Sequence, residues 1–473
     1  MTAPRASGGF GGIARAGASV ALAGLAAAGL AVATLGLFAA SAGEAEEPPP
    51  EEEKAWWDVL KGIELGPGKL DLGLAFRARY EYLDGFTIRG YGPARGDDVL
   101  LLRTRLSADY RFDEDDRVFV EFQDARYYLS GLTLGDFGRT SSYFDQFDLR
   151  QAYVEAKGVC GSAFDVKAGR QILLYADRRL FAPAEWGNVG NYWWDGVKVR
   201  WDAGPVDLDA IYAFRVLSET RDWNFDHWPY QVGALYARLR SLPFPLHAFY
   251  VAKHDWSDDP RGELGGPGEE RHTFGVFSER APGEGFDYGL LVAGQLGEYG
   301  RDSIGAFGAI ARGGYTAKTF ASPRAGFEFA YASGDRDPLD GDCGTFDGIF
   351  GAMDIPYGWM NLVSWKNLED YSANVSVEPL GALWLSAEYH YFRLAEARDA
   401  WYWVSGKPER RDPTGRSGRS LGHEVDAIAR WRAARGLELL CGYARFFPGA
   451  FARRTPGHRG GAHWAFAQLS LSF

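Results

Sequence analysis

The chain has 473 residues, of which 46% are hydrophobic, 15% are aromatic and 24% are charged. This apolar and aromatic content excludes disorder for most of the chain, and the net charge of -12 disfavours nonspecific binding to nucleic acid. No run of about 18 uncharged apolar residues follows residue 43, so a polytopic helical membrane protein is excluded as well.

The first 42 residues have the pattern of a cleaved secretory signal peptide. Arg5 and Arg15 precede an uncharged stretch rich in Ala, Gly and Leu, and Ala40-Ser41-Ala42 fits a small-x-small cleavage site. The length of this stretch leaves an uncleaved helical anchor as the alternative. Residues 43–69 are rich in Glu and Pro where they begin, which predicts a solvated periplasmic linker.

From about residue 70 to the C-terminus, apolar and polar side chains alternate with period two, as is typical of β-strands. In the first such segment, Leu72 and Leu74 share one face, while Arg77 and Arg79 share the other. An Arg that faces lipid at the bilayer midplane costs about 2–4 kcal/mol. The mid-strand Arg and Glu residues therefore need water on their side of the strands.

Long and short connections alternate between these segments. The long ones include 172–192 and 334–365, the short ones include 112–116 and 202–205, and only 297–302 breaks the alternation. Long outer loops and tight periplasmic turns are typical of outer-membrane barrels. The sequence thus predicts an all-β transmembrane antiparallel barrel of about 18 strands over 70–473, with 16 strands as the alternative count. A soluble β-sandwich or propeller is disfavoured, because neither needs so many mid-strand charges.

Several segments of this body resemble, in order, the alginate export porin family of Gram-negative outer membranes. The first strand carries Arg77-Ala78-Arg79-Tyr80-Glu81, similar to that family's opening R-x-R-Y-E pattern. The most specific stretch, 332–370, includes Tyr357-Gly358-Trp359-Met360-Asn361-Leu362-Val363. The resemblance covers roughly residues 70–473. It implies a monomeric 18-stranded barrel in outer-membrane lipid, with periplasmic export partners and an Arg-rich lumen that passes a uronate polymer outward.

The inward face of the predicted strands gathers charged residues of both signs, and these are the candidate pore-lining residues. The basic ones are Arg77, Arg79, Arg103, Arg105, Arg150, Lys198, Arg200, Arg324 and Arg430; the acidic ones are Glu81, Glu328 and Glu388, together with Asp109, Glu121 and Asp426. Arg side chains in a narrow passage replace counterions on a carboxylate polymer. The alternative is an Arg–carboxylate lattice that only braces the barrel.

Fixed charges at short range outweigh loop charges beyond a Debye length of about 8 Å. We therefore predict anion preference despite the acidic net charge, carried mainly by Arg77, Arg79, Arg103 and Arg105.

The connection 334–365 is too long to be an idle link. Its aromatic residues, among them Phe346, Tyr357 and Trp359, predict that part of it folds into the barrel mouth and narrows the pore. It also carries four candidate calcium ligands, Asp335, Asp337, Asp340 and Asp342. Their spacing fits no EF-hand, so a solvated acidic loop is the favoured interpretation.

The sequence offers little support for a catalytic or cofactor-binding site. The sequence has no H-E-x-x-H, phosphate-loop or dinucleotide pattern, and its three cysteines form no C-x-x-C pair. His390 and Glu388 share a strand face, but no serine is recognisable as their nucleophile. We therefore predict no enzyme, no catalytic residue and no cofactor. The predicted function is an outer-membrane channel for an anionic polysaccharide or small anionic solutes; the alternative is a barrel that anchors enzymatic or adhesive loops.

Overall fold

The computed structural model describes residues 55–85, 96–137, 140–220, 222–259, 261–351 and 356–473. The predicted signal peptide and most of the predicted linker lie outside these residues. The chain divides into two units, Met1–Val59 and Leu60–Phe473. The described residues of the first unit begin the short 3₁₀-helix Trp56–Leu60, in which the two Trp rings meet edge to face with their centroids 5.5 Å apart.

The second unit consists almost entirely of β-strands. They are β1 (Ile63–Leu65), β2 (Gly68–Asp84), β3 (Asp97–Arg111), β4 (Asp116–Tyr128), β5 (Asp145–Ala156), β6 (Phe164–Ile172), β7 (Trp193–Asp202), β8 (Val206–Leu217), β9 (Phe225–Leu239), β10 (Leu246–Asp255), β11 (Glu269–Arg280), β12 (Gly285–Tyr299), β13 (Asp302–Thr316), β14 (Arg324–Ala332), β15 (Asp342–Cys343), β16 (Leu368–Leu380), β17 (Leu383–Arg393), β18 (Ala400–Tyr402), β19 (Pro408–Arg411), β20 (Ser420–Ala434), β21 (Leu437–Pro448) and β22 (Ala462–Ser472).

The connections contain the helices α1 (Leu134–Phe137) and α2 (Ala450–Arg454) and a 3₁₀ turn, Val159–Gly161. Among the described residues, no helix combines the length and the apolar character needed to cross a bilayer.

Eighteen of the strands form one closed antiparallel barrel: β2 to β14, β16, β17 and β20 to β22. The ring closes because β2 pairs both with β3 and with the last strand, β22, where Phe76 lies opposite Leu471. The C-terminal residue takes part in the closure, since the backbone N–H of Phe473 donates to the Leu74 carbonyl at 3.0 Å. The predicted barrel of 18 strands is confirmed, and the alternative of 16 is wrong.

The outer surface carries exposed apolar side chains on one face of successive strands, among them Val197, Tyr212, Leu235, Phe274, Leu290, Phe327, Tyr371 and Val375. Three cross-strand Tyr–His pairs lie on the same surface, with Tyr Oη to His Nδ1 distances of 2.8, 2.7 and 2.6 Å: Tyr250–His272, Tyr389–His423 and Tyr443–His463. Aromatic residues with a polar end suit the boundary between lipid and water. The period-two pattern thus separates a lipid-facing surface from the lumen.

The buried core of the barrel lies in its lumen, because two long connections fold inward. We call residues 173–192 inner loop 1 and residues 333–367 inner loop 2. The loops meet where the backbone N–H of Ala182 donates to the Phe350 carbonyl at 2.9 Å, with the Phe181 and Phe350 rings 5.2 Å apart. Phe346, Tyr357 and Trp359 are all less than 5% exposed. The predicted inward folding of the second loop is therefore observed, whereas that of the first was not predicted.

Candidate pore and its arginine cluster

The sheet register gathers arginines from the first two barrel strands into one inward patch. Arg77 lies directly opposite Arg103 in the β2–β3 ladder, and Arg105 lies opposite Ala75. Residues two apart on a strand share a face, so Arg79 and Arg105 join the same patch. Arg150 of β5 approaches from the side and pairs with Glu121 of β4. We call these five arginines the arginine cluster.

Inner loop 1 supplies the carboxylate on which the arginine cluster converges. Glu185 Oε2 lies 2.8 Å from Arg105 Nη2 and 3.5 Å from Arg103 Nη1, and the other carboxylate oxygen pairs with Arg150. Burial by itself would raise the pKa of Glu185, but Arg105, Arg150 and Arg103 hold it well below its ordinary value. Glu185 therefore stays ionised at every relevant pH.

The cluster also holds the backbone of inner loop 1. Arg77 donates to the carbonyls of Glu185 and Gly187 at 3.1 and 3.0 Å, and Arg79 donates to the Trp186 carbonyl at 2.8 Å. Arg103 donates to the Glu185 carbonyl at 3.1 Å. Charged donors make hydrogen bonds roughly twice as strong as neutral ones. The arginine side chains thus fix the path of this loop across the lumen.

Aromatic side chains fill the lumen at the level of the cluster. The Arg79 guanidinium lies 4.0 Å from the ring centroid of Trp186. That ring in turn contacts Trp359 of inner loop 2 edge to face at 5.1 Å, and Phe466 of β22 at 5.0 Å. Trp464 of β22 packs on the same ring and donates its indole N–H to Glu81 at 2.9 Å. The two inner loops together narrow the passage here.

Inner loop 2 is fastened to the wall by a buried ionic group. Asp347 lies 2.7 Å from Lys253 Nζ of β10, which also contacts Glu269 of β11 at 3.0 Å. Gln295 of β12 donates to the Asp347 carbonyl at 2.7 Å. Burial alone would raise the pKa of Asp347, but Lys253, Lys366 and Arg271 lower it below its usual range. The loop is therefore attached by a permanent charge.

On the side of the short turns, the lumen contains a cavity of about 580 Å³. Its charged lining consists of Arg312, Arg324, Arg430 and Arg432, with Asp177, Glu279, Glu328, Glu378 and Glu388. Arg324 is paired with Asp287 at 2.7 Å. Short turns mark the periplasmic end of an outer-membrane barrel, so this cavity is the periplasmic vestibule of the lumen.

The predicted pore residues thus fall into separate groups. Arg77, Arg79, Arg103, Arg105 and Arg150 come together with Glu81 and Glu121, while Arg324, Arg430, Glu328 and Glu388 line the vestibule. Glu328 also binds Arg179 of inner loop 1 at 2.7 Å. Arg200 pairs with Asp207 at 2.8 Å, Lys198 lies opposite Lys167, and Asp109 pairs with Arg111 at 2.6 Å. These last residues belong to neither group.

Two of the four calcium candidates lie together. Asp335 and Asp340 join Glu263, with one donor oxygen from each lying within 4.8 Å of the others, so these three acids could hold a metal ion. Asp337 and Asp342 stand outside this group; their backbone N–H groups donate to the carboxylates two residues earlier. Burial and the neighbouring Glu263 raise the pKa of Asp335 to about 7.

Reasoning from the sequence missed Glu185, Lys253 and Glu269. The loop that carries Glu185 has no periodic pattern. The only sequence signal for a carboxylate partner was the excess positive charge of the arginine cluster. Lys253 and Glu269 do have a signal, because each shares its strand parity with residues that are buried on the inward face, Lys253 with Val251 and Glu269 with Thr273.

The sequence profile of the alginate export family matches residues 69–466. No curated protein sequence matches the chain at a significant level. Among solved structures, OccAB2 from Acinetobacter baumannii is similar with a TM-score of 0.57 and 11% identity, over 85% of this chain and 98% of that one. The outer membrane protein opdK from Pseudomonas aeruginosa has a TM-score of 0.55 and 10% identity, over 86% and 99% of the two chains. At such identities the likeness concerns the barrel fold.

Proposed function

We propose, from the premise that this chain belongs to the alginate export family, that it is an outer-membrane channel for the passive movement of anionic substrates. A uronate polymer resembling alginate is the first candidate, and small anionic solutes are the second. The observation that carries the proposal is the arginine cluster inside the lumen, which converges on a single carboxylate.

The environment of Glu185 has the chemistry that a uronate carboxylate requires. Arg presents a planar fork of N–H donors that matches a carboxylate and keeps its charge at any relevant pH. A polymer carboxylate offers the cluster the same partner as the Glu185 side chain. Exchange of one for the other frees the Glu185 side chain and loosens inner loop 1 at little cost in charge, so the substrate helps to open its own path.

The vestibule extends this path on the periplasmic side. Four arginines and five acids line it together, so a polyanion meets attraction and repulsion within a short distance. Conduction needs binding strong enough to admit a substrate and weak enough to release it. A lining of mixed sign favours sliding of a polymer over tight retention.

The remaining parts of the proposal concern the surroundings of the barrel. The exposed apolar surface contacts outer-membrane lipid, the barrel acts as a monomer, and a periplasmic export partner delivers the polymer to the vestibule. The alternative is a barrel that anchors enzymatic or adhesive loops. The inward folding of two long connections supports a passage over loops displayed to the outside.

Recording of the purified protein in planar bilayers tests the proposal. We expect a reversal potential that indicates anion preference under a salt gradient, and block of the current by uronate oligomers. Neutral oligosaccharides of equal length are the control and should block far less. Cation selectivity, or equal block by charged and neutral oligomers, would overturn the proposal and leave the arginines as structural braces.

A further inference from the structure

A second group of buried titratable residues lies where β16, β17 and β20 adjoin. It consists of Asp370, Glu388, His390, Glu424 and Asp426, which we call the histidine–carboxylate cluster. In the β17–β20 ladder, Glu388 lies directly opposite Asp426, and His390 lies directly opposite Glu424. Directly opposed residues on one face have Cβ atoms about 4.5–5.5 Å apart. The register alone therefore brings these four side chains together on the inward face.

We propose that Glu388, His390 and Asp426 bind a divalent transition-metal ion of the zinc type in the barrel wall. One donor atom from each of the three residues lies within 4.8 Å of the other two. His390 Nε2 and Glu388 Oε2 are 3.9 Å apart. Zinc binds nitrogen and oxygen at about 2.0–2.2 Å, so two of its ligands lie within about 4.3 Å of each other. Side-chain rotation that draws the Asp426 carboxylate closer to the other two donors completes the site.

The buried polar atoms of the cluster point to a cation independently of this spacing. Asp426 is 0% exposed, and neither of its carboxylate oxygens accepts a hydrogen bond from any residue in the described part of the chain. His390 is 3% exposed, and its Nε2 is likewise without a hydrogen-bond partner among those residues. A buried charge without compensation is strongly destabilising. A bound cation compensates it directly.

The orientation of His390 suits a metal ligand. Its Nδ1–H donates to Asp370, at 3.0 Å from Oδ2 and 3.2 Å from Oδ1. When His390 is neutral, as a metal ligand must be, this bond places the ring proton on Nδ1 and leaves the lone pair on Nε2, which faces Glu388. Metal-binding histidines usually donate their other N–H to a carboxylate in this way. Asp370 is thus a positioning residue, and Ser386 orients Glu388 in the same manner at 3.3 Å.

The donor set selects the class of metal. Calcium and magnesium take oxygen ligands almost exclusively, whereas imidazole together with carboxylate suits zinc and its first-row neighbours. The same residues fit the active site of a serine hydrolase less well than they fit a metal site. Ser372 lies opposite His390 in the β16–β17 ladder, but its hydroxyl donates to the Glu328 carbonyl at 3.3 Å.

The cluster is linked to the pore through inner loop 2. The backbone N–H of Met360 donates to Glu424 Oε1 at 2.8 Å, and Gly358 passes so close that a Cβ there would lie 2.5 Å from the same oxygen. An ion on the neighbouring carboxylates holds Glu424 in place and so stabilises the docked loop. The proposal does not depend on which substrate the barrel transports.

Metal titration of the purified full-length barrel tests the proposal. After treatment with a chelator, we expect one equivalent of Zn²⁺ per chain by calorimetry, which equimolar Ca²⁺ or Mg²⁺ does not displace. X-ray absorption of the zinc form should give one nitrogen ligand with oxygens as the rest. Absence of stoichiometric Zn²⁺ binding, or displacement of the bound Zn²⁺ by equimolar Ca²⁺, would overturn the proposal.

Variants assign the ligands. His390→Gln and Asp426→Asn should each lower the Zn²⁺ affinity at least tenfold. His423→Gln is the matched control, because His423 is next to Glu424 on β20 but points to the outer surface, where it pairs with Tyr389. Equal Zn²⁺ binding by His390→Gln and His423→Gln, with both barrels folded, would contradict the assignment. If His390→Gln fails to fold, the ligand set from X-ray absorption decides.

Discussion

Replacement of Glu185 by Gln should loosen inner loop 1 and raise the anion preference of the channel. The arginine cluster contributes five positive charges, and Glu81, Glu121 and Glu185 contribute three negative ones. The formal charge at this level of the lumen therefore rises from +2 to +3. The Arg77 and Arg79 bonds to the loop backbone stay intact in this variant.

The size of the effect follows from the contacts that are lost. A hydrogen bond to a charged partner contributes about 1.5–3 kcal/mol. The Glu185 side chain is 33% exposed, so water replaces part of the lost interaction and the lower value applies. About 1.4 kcal/mol corresponds to a tenfold change in an equilibrium. We therefore expect the ratio of open to closed channels to rise about tenfold.

Single-channel recording in planar bilayers measures both quantities, the open probability and the reversal potential under a salt gradient. Glu114→Gln is the control, because it removes the same charge from an exposed short turn. If Glu185→Gln leaves both the open probability and the selectivity as they are in the unmodified protein, Glu185 does not hold the loop closed. A drop in anion preference would contradict the charge argument itself.

Three further predictions concern the lining and the loops. The double variant Arg103→Ala/Arg105→Ala should weaken anion preference without unfolding the barrel, which reversal potentials and the heat-dependent gel mobility of the barrel will check; an unaltered preference would make these arginines braces. Deletion of 338–358 should raise single-channel conductance, because the segment includes the Asp347 anchor to Lys253, and an unchanged conductance would show that the loop is no constriction. The pKa of Asp335 is raised to about 7, so the folded state binds more protons than the unfolded one and loses stability as the pH rises from about 4 to about 7. Asp335→Asn should therefore flatten the dependence of the melting temperature on pH in this range, and an unchanged slope would refute the assignment.

The barrel was predictable because its rules are local. Alternation along β2, with Leu72 and Leu74 on one face and Arg77 and Arg79 on the other, requires two different solvents on the two sides of the strand. The loop lengths then give the direction of each strand. Neither feature depends on contacts between distant parts of the chain, so both could be read from the sequence.

The interior was less predictable, because its contacts are remote and its loops are aperiodic. The aromatic residues of 334–365 indicated inward folding, and Leu180, Phe181 and Trp186 of inner loop 1 would have supported the same argument. The meeting of Glu185 with Arg105 is a different matter, since 80 residues separate them and no spacing rule connects a loop to a strand face. Likewise, His390 and Glu388 were known to share a face, but Asp426 joins them only through the register of β17 and β20, whose connection contains the β18–β19 hairpin.

The pairing of β2 with β22 has a consequence for the order in which the barrel assembles. Phe76 and Leu471 are neighbours in this ladder, although nearly the whole barrel sequence separates them. A pairing so remote loses chain entropy before it gains any contact, so such ladders form late. Trp186 of inner loop 1 contacts both strands of this ladder. Its ring packs on Phe466 of β22, and its backbone carbonyl accepts a hydrogen bond from Arg79 of β2. Because inner loop 1 contacts both β2 and β22, its docking adds contacts across the last ladder to form and stabilises the closed ring.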